Sequence, residues 1–407
     1  MASIERRETS RGVRYDVRYR EPGGRPRVKT WRRRADAERF ARQVEVDKDR
    51  GLFVDPALAR TTLREVAARW LASNPGKRGG SWQRDEIVVR THIVPELGSR
   101  PVGSLTPGDV QSLVNSWAAN RAPGTVRREY GVLRAILNYA LASDMIGRTP
   151  CRRIKLPEVT PVRRHIINGD ELGRLAAAMG GVEGYGTMAY LGTVDGMRWG
   201  EVAGLRVGHF DFQAGTVRIS QTVVRGRKGA VGLGEPKSAA GRRTLAVPVA
   251  LVEMVGKHMA ARGLTVDDVD ALLFTAPEGG MLRYSNWLRR VWYPATTAVG
   301  LGKLVEDVAT GRTRYVGLGF HDLRRANATG LVAEGIDIKT AQAMLGHSNA
   351  QLTVGLYAQA VVRLGAAAAE SMAARFRLPG SDKPRDERAM EPGEEDENGR
   401  AEDVTTL

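Results

Sequence analysis

His321-Asp322-Leu323-Arg324-Arg325, then Leu345-Gly346-His347, then Tyr357 is the run of residues from which the rest of the chain can be read. Leu323 to Gly335 contains no proline and carries Leu323, Leu331 and Val332 as apolar points, so it reads as a helix. His321 and Arg324 stand three apart at its start and can face one side. A helix N-terminus also favours an anion. Ile338 to Leu345 reads as a second helix, ended by Gly346, which would turn the chain so that His347 points into the same site. Well upstream, Gly196-Met197-Arg198-Trp199-Gly200-Glu201 repeats the three-residue spacing, with Arg198 and Glu201 on a helix continuing through Val202 and Leu205. Glu201 is placed to hold or orient a neighbouring cation. Lys237 lies between the two clusters.

These residue types suit attack on a phosphodiester. Negative charge shifts onto the equatorial oxygens of a phosphate as it is attacked. Two guanidiniums match that charge, since each is a planar fork of donors that stays ionised at any working pH. Preorganised charge of this kind is usually the largest part of transition-state stabilisation. A tyrosine hydroxyl is a poor nucleophile when free, with a pKa of about 10. Arginine or histidine nearby can activate it. A lysine or histidine can protonate the leaving oxygen. Attack by tyrosine stores the broken bond as an ester, so a strand can be rejoined without ATP.

The set resembles the tyrosine recombinases, in particular phage-type integrases. That family's catalytic set is arginine, lysine, histidine, arginine, a second histidine or tryptophan, and a nucleophilic tyrosine. It falls here on Arg198 in GMRWGEVAGLR, Lys237 in EPKSAAGRRTLAVP, His321 and Arg324 in HDLRR, His347 in LGH and Tyr357 in TVGLYAQ. The match spans about residues 165 to 377, with all of these positions in order. Arg325 stands where histidine is common, and Gln359 where histidine often follows the tyrosine; neither belongs to the set.

The resemblance implies a multidomain, mainly α fold: a small β-sheet plus helix N-terminal domain, a helical core-binding domain, and a mixed, mostly helical catalytic domain with a β-hairpin insertion. It implies a site-specific DNA recombinase in which Tyr357 forms a 3′-phosphotyrosyl link. Arg198 and Arg324 would clamp the non-bridging oxygens. His321 and His347 would assist proton handling and phosphate contact, and Lys237 would protonate the 5′-oxygen. The partners implied are double-stranded DNA at attachment sites and a homotetramer on that DNA, with room for an accessory DNA-bending or directionality factor. No cofactor is expected. Two rivals remain: a DNA-relaxing topoisomerase with related chemistry, which needs much the same residues, and a non-catalytic DNA-binding repressor, against which the complete set weighs.

Each residue taken alone has a plainer reading. HxxR on a helix is commonly a surface pair or a capping arrangement, Tyr357 a half-buried core tyrosine, and His347 a turn residue. Lys237 alone reads as a solvated hairpin lysine, and Lys228 competes with it. The ordered combination carries the reading.

Composition agrees. The chain has 407 residues, 42% of them hydrophobic, enough for two or three domains. A net charge of +16 favours a polyanion, nucleic acid first and an acidic membrane surface second. No stretch approaches the roughly 18 apolar residues of a spanning helix. MASIERRETSRG lacks the apolar core of a secretory signal, and the single cysteine, Cys151, allows no internal disulfide, so a cytoplasmic location is expected. HExxH, CxxC and GxxxxGK[ST] are all absent, which excludes the common zinc and P-loop sites.

Four parts follow along the chain. Residues 1–57 form an expected arm-type DNA-binding domain, with twelve Lys/Arg against four Asp/Glu from Met1 to Arg34. Val13 to Arg20 alternates as a strand, Glu21 to Pro26 turns, Arg27 to Trp31 returns, and Ala35 to Asp49 is helical. Arg14, Arg18 and Arg20 are the DNA-contact candidates there. Residues 60–160 read as helices and, by the resemblance, would form the helical core-binding domain. Its capping box is Thr62 with Glu65, a helix starts at Thr106-Pro107, and a longer helix after Thr125 carries the candidates Arg127 and Arg128. Arg152 to Arg164, with two prolines, reads as a linker. Residues 165–377 are the catalytic domain, with strands at Thr216–Val224 and Arg243–Val247. Arg283, Arg289 and Arg290 lie on a later helix, and Arg289 is a phosphate-contact candidate. Val361 to Phe376 reads as an alanine-rich helix that, by the resemblance, docks on a neighbouring protomer. Residues 378–407 form an acidic tail expected to be disordered; Asp382 to Asp403 holds ten Asp/Glu and four Lys/Arg.

Overall fold

The computed structural model describes residues 2–10, 12–20, 26–49, 56–160, 164–226, 229–307 and 311–346. The expectations placed on Lys228, His347, Tyr357, the helix over 361–376 and the acidic segment 378–407 lie outside the described residues. The chain divides into two compact units. One comprises Met1–Arg164, Val223–Gly234 and Ala276–Arg283; the other His165–Thr222, Glu235–Thr275 and the chain from Tyr284 onward.

The first unit opens with an antiparallel sheet in the order β1 (Ser3–Thr9), β2 (Gly12–Arg20), β3 (Pro26–Trp31), followed by helix α1 (Arg34–Asp49). Alternation in β2 sends Val17 and Tyr19 into a small core with Ala37, Ala41 and Val44 of α1, bordered by Tyr15, Trp31 and Phe40. Arg14, Asp16, Arg18 and Arg20 share the other face. β1 was not predicted. Its sequence, SIERRET, offers one large apolar residue, and it forms because its backbone pairs with β2 from Ser3↔Arg18 to Thr9↔Gly12.

Helices α2 (Pro56–Ala59), α3 (Leu63–Ala72), α4 (Gly79–Val88), α5 (Val94–Leu97), α6 (Pro107–Asn120) and α7 (Pro123–Ala142) follow. Thr62 and Glu65 make the predicted capping box: Oγ1 of Thr62 accepts from Glu65 N at 3.4 Å, and Oε2 of Glu65 accepts from Thr62 N at 3.0 Å. α7 starts three residues earlier than read, because Pro123 is suited to a first helical turn. One core joins these helices through Leu63, Val66, Ile93, Val110, Trp117, Leu133, Ile136 and Leu137. The start of the expected linker is tied down. The Gln111 side chain donates to Lys155 O at 3.0 Å and accepts from Lys155 N at 2.8 Å, and Arg127 Nε donates to Pro157 O at 2.8 Å.

The second unit is built on α8 (Gly169–Ala178), α9 (Gly186–Thr193), α10 (Trp199–Ala203), α11 (Val249–Ala261), α12 (Tyr284–Trp287), α13 (Tyr293–Ala298), α14 (Phe320–Ala333) and α15 (Ile338–Leu345). A five-residue π turn, Leu288–Trp292, joins α12 to α13 and carries Arg289 and Arg290, while Arg283 precedes α12. A sheet runs β4 (Phe210–Asp211), β5 (Thr216–Ile219), β8 (Arg243–Ala246). The single strand expected over Thr216–Val224 is two. Gln221 Nε2 donates to Gly204 O at 2.8 Å and Ser220 Oγ meets His209 Nε2 at 3.2 Å; the strand ends there, and β6 (Thr222–Arg225) pairs with β7 (Val231–Gly234) in a hairpin that from Val223 onward belongs to the first unit. A further hairpin, β9 (Gly302–Asp307) with β10 (Arg312–Gly317), was not anticipated.

Two contacts fix where α14 begins. Trp292 Nε1 donates to Leu318 O at 2.8 Å, and Trp292 and Phe320 pack edge to face at 5.5 Å. α14 also approaches α9 very closely. A Cβ on Gly192 would lie 2.8 Å from Cζ of Phe320, so only glycine permits the contact. Phe320 and Leu323 are fully buried, each contributing about 1.5–3 kcal/mol of hydrophobic stabilisation.

Candidate active site

Arg198 is not inside α10 but caps it, with an extended backbone. Its position follows from Glu201, whose Oε2 accepts from Arg198 N at 3.0 Å and whose Oε1 accepts from Arg198 Nη1 at 2.6 Å. Nη2 of Arg198 donates to Gly346 O at 3.0 Å, and 38% of the side chain stays exposed. Glu201 is 3% exposed. Burial works to raise its pKa, but the hydrogen bonds and charge of Arg243, with Arg198, hold the carboxyl below the usual range. Arg243 Nη2 lies 2.9 Å from Oε2 and Nη1 3.2 Å from Oε1.

Arg324 is 1% exposed, although it sits in the second turn of α14. Nη1 donates to Gly196 O at 2.6 Å and Nη2 to Leu345 O, while Nε has no partner among the described residues. Burial first, then the charge of Arg198, pushes its pKa down to about 9, so it stays cationic at neutral pH. Arg198 and Arg324, far apart in sequence, therefore meet at the end of α15. Gly346 adopts the predicted left-handed cap there, with φ 60°. His321 is exposed as a residue, yet its ring is partly desolvated. That and the charges of Arg324 and Arg325 lower its pKa, which favours the neutral imidazole at pH 7.

Lys237 is exposed between β7 and β8 and makes no hydrogen bond or ion pair among the described residues. Of the candidates at positions 198, 237, 321, 324, 347 and 357, the structure gathers Arg198, Arg324 and His321. His347 follows directly on Gly346, outside the described residues, as Tyr357 is. Among the DNA-contact candidates, Arg18 pairs with Glu5 at 2.7 Å, and Arg14 donates to Val13 O at 3.3 Å. Arg20 and Arg128 are exposed, Arg127 is held by Pro157 as above, and Arg289 donates to Asn286 Oδ1 at 3.2 Å.

Two residues beside the arginines escaped the sequence reading. Arg243 was taken only as the first residue of a strand. The available signal was alternation: Arg243 shares the inward face of β8 with buried Leu245. Asp195 is 8% exposed, and its Oδ2 has no partner among the described residues. Burial pushes its pKa up to about 7, against an opposing pull from Arg243. The unfolded pKa is near 3.8, so this group's favourable contribution is complete below that value and is lost as pH rises to about 7. Asp195→Asn should therefore flatten the decline of stability between pH 4 and 7, where one such group changes it by about 1.4 kcal/mol per pH unit. Denaturant melts of both chains across that range test this; identical slopes would remove the assignment.

Residues 63–157 match the phage integrase central domain, and residues 186–362 match the phage integrase family. The chain belongs to the phage integrase family of tyrosine recombinases. It is thus a site-specific recombinase of integrase type. The integrase of Mycobacterium phage D29 is 27% identical over 309 residues, covering 73% of this chain and 75% of the relative. The putative prophage phiRv2 integrase of Mycobacterium tuberculosis is 27% identical over 352 residues, covering 83% and 86%. In fold, the chain resembles the Tn1549 transposon integrase solved with circular intermediate DNA, with a TM-score of 0.60 at 16% identity over 73% of this chain and 94% of that one. It also resembles the lambda integrase tetramer bound to a Holliday junction, with a TM-score of 0.50 at 17% identity over 84% and 92%. Among the described residues, no helix is long and apolar enough to cross a membrane.

Proposed function

We propose that this integrase cuts and rejoins double-stranded DNA at attachment sites through a 3′-phosphotyrosyl intermediate. The Tyr357 hydroxyl oxygen attacks the scissile phosphorus. A bond from phosphorus to the tyrosine oxygen forms and the bond to the 5′-oxygen breaks. The tyrosine proton passes toward the His321/His347 side, and Lys237 supplies a proton to the departing 5′-oxygen. Arg198 and Arg324 hold the non-bridging oxygens throughout. Neutral His321 suits acceptance of a hydrogen bond or a proton. Rejoining runs the same steps backward with a different 5′-hydroxyl, so no external energy source enters.

The observation that carries this reading is the meeting of Arg198 and Arg324 at the carbonyl end of α15, from which the chain leads on to His347 and Tyr357. Around that site, residues 1–57 act as the arm-type domain through Arg14, Arg18 and Arg20, and residues 60–160 as the core-binding domain through Arg127 and Arg128. Arg289 adds a phosphate contact beside residues 165–377, the catalytic domain. Four copies synapse two duplexes in the cytoplasm, with a DNA-bending or directionality factor as a further partner. The lambda integrase tetramer solved on a Holliday junction supports the four-copy part of this assembly.

The test is covalent trapping on a nicked duplex cut from the DNA that flanks the gene. A denaturation-resistant protein–DNA adduct at a mapped position is expected. Binding with no adduct would overturn the reading in favour of a repressor. Relaxation of supercoiled DNA without exchange between two sites would overturn it in favour of a topoisomerase.

A further inference from the structure

Glu201 stands between two guanidiniums that are not equivalent. The Arg198 side chain is 38% exposed and turns an open edge outward, whereas the Arg243 side chain is 6% exposed and lies behind. Every Arg243 donor nitrogen is already engaged by protein. Nη2 and Nη1 take the two Glu201 oxygens, Nε donates to Met344 O at 2.7 Å, and Nη1 also reaches Gly241 O at 3.3 Å. Arg243 is therefore built into the framework and is not a phosphate ligand. Its charge nonetheless reaches the open side. A lone Glu201–Arg198 pair has no net charge and leaves the guanidinium locked to a carboxylate. With Arg243 the trio carries +1 − 1 + 1 = +1, and the carboxylate is shared.

Arg243 also completes a pattern at the end of α15. Met344, Leu345 and Gly346 offer consecutive carbonyls, and Arg243, Arg324 and Arg198 take one each. The fit is tight. A Cβ on Gly346 would lie 2.6 Å from Ala240 O and 3.0 Å from Nη1 of Arg243. β8 is thereby tied to the chain end from which His347 follows.

We propose that Arg243 is a positioning residue for strand cleavage: by sharing Glu201 and holding the Met344 carbonyl, it keeps Arg198 correctly aimed at the scissile phosphate. This rests on the strand-transfer reading above.

Removing the Arg243 charge should leave Glu201 gripping Arg198 alone, and removing the Glu201 charge as well should release it. The experiment measures single-turnover cleavage of the nicked duplex by the full chain, with DNA affinity measured separately. Arg243→Met should cleave about 10- to 100-fold more slowly, the usual loss when a group orienting a ligand from behind is removed. DNA affinity should stay within about twofold, since Arg243 makes no contact a duplex could replace. Arg243→Met combined with Glu201→Gln should then cleave faster than Arg243→Met alone, a coupling of opposite sign to additive damage. If Arg243→Met does not fold, Arg243→Lys serves in its place, because it keeps the charge but loses the two-pronged bridge. It should show a smaller loss and a smaller rescue. A wild-type chain that forms no adduct overturns the strand-transfer reading, and the Arg243 assignment with it. A wild-type chain that does, beside Arg243 variants that cleave normally or a double variant slower than either single, overturns the Arg243 assignment only.

Discussion

Tyr357→Phe should bind attachment-site DNA as tightly as the unaltered chain and yield no covalent adduct on a nicked duplex. The substitution removes one oxygen and leaves the ring. Phosphate contacts from arginine dominate affinity and are untouched, whereas loss of a nucleophile costs about 10⁴-fold or more in rate. A denaturing gel of quenched reactions, beside a gel-shift titration, separates the two effects. An adduct formed by the variant at the normal rate would remove Tyr357 from its role. It would leave the arginines as a DNA grip serving some other chemistry.

The second large effect divides the two arginines. Arg198→Ala and Arg324→Ala should each slow cleavage by about 10²- to 10³-fold, the usual cost of losing one charged donor at a reacting centre. They should differ in stability. Arg324 is 1% exposed and satisfies the Gly196 and Leu345 carbonyls. Its loss leaves two buried acceptors and a cavity, which costs about 2–4 kcal/mol and lowers Tm by roughly 5–10 °C. Arg198 is partly exposed, and its partner Glu201 keeps Arg243, so Arg198→Ala should melt close to the unaltered chain. Thermal melts and single-turnover rates on the same preparations give both numbers. Equal Tm losses would contradict the buried role read for Arg324, and normal cleavage by Arg198→Ala would contradict the clamp.

Much of this was legible in the sequence for local reasons. Capping at Thr62, proline at Pro107 and the glycine stop at Gly346 are written in neighbouring residues, and so are the α14 and α15 helices. Arg198, His321 and Arg324 were visible because their residue types and order are unusual together. What stayed hidden depends on partners distant in sequence. β1 exists through pairing with β2, and its own residues, largely charged, give no sheet signal. The break at Ser220–Gln221 is made by side chains reaching His209 and Gly204. Arg243 looked like one more basic residue in a basic chain. Its meaning comes from Glu201 and Met344, which only folding brings to it. The β9–β10 hairpin has exposed apolar positions such as Leu304, which blur the alternation that would have marked it.

The arginines at the end of α15 bear on turnover as well as charge. Freezing a long side chain such as arginine costs about 1.5–2 kcal/mol of rotational freedom. Here Met344, Leu345 and Gly346 impose that restraint while the protein folds, before any duplex arrives. The entropy of ordering is lost once in the lifetime of the molecule, and on the strand-transfer reading proposed above each round of exchange would begin with a clamp already at rest.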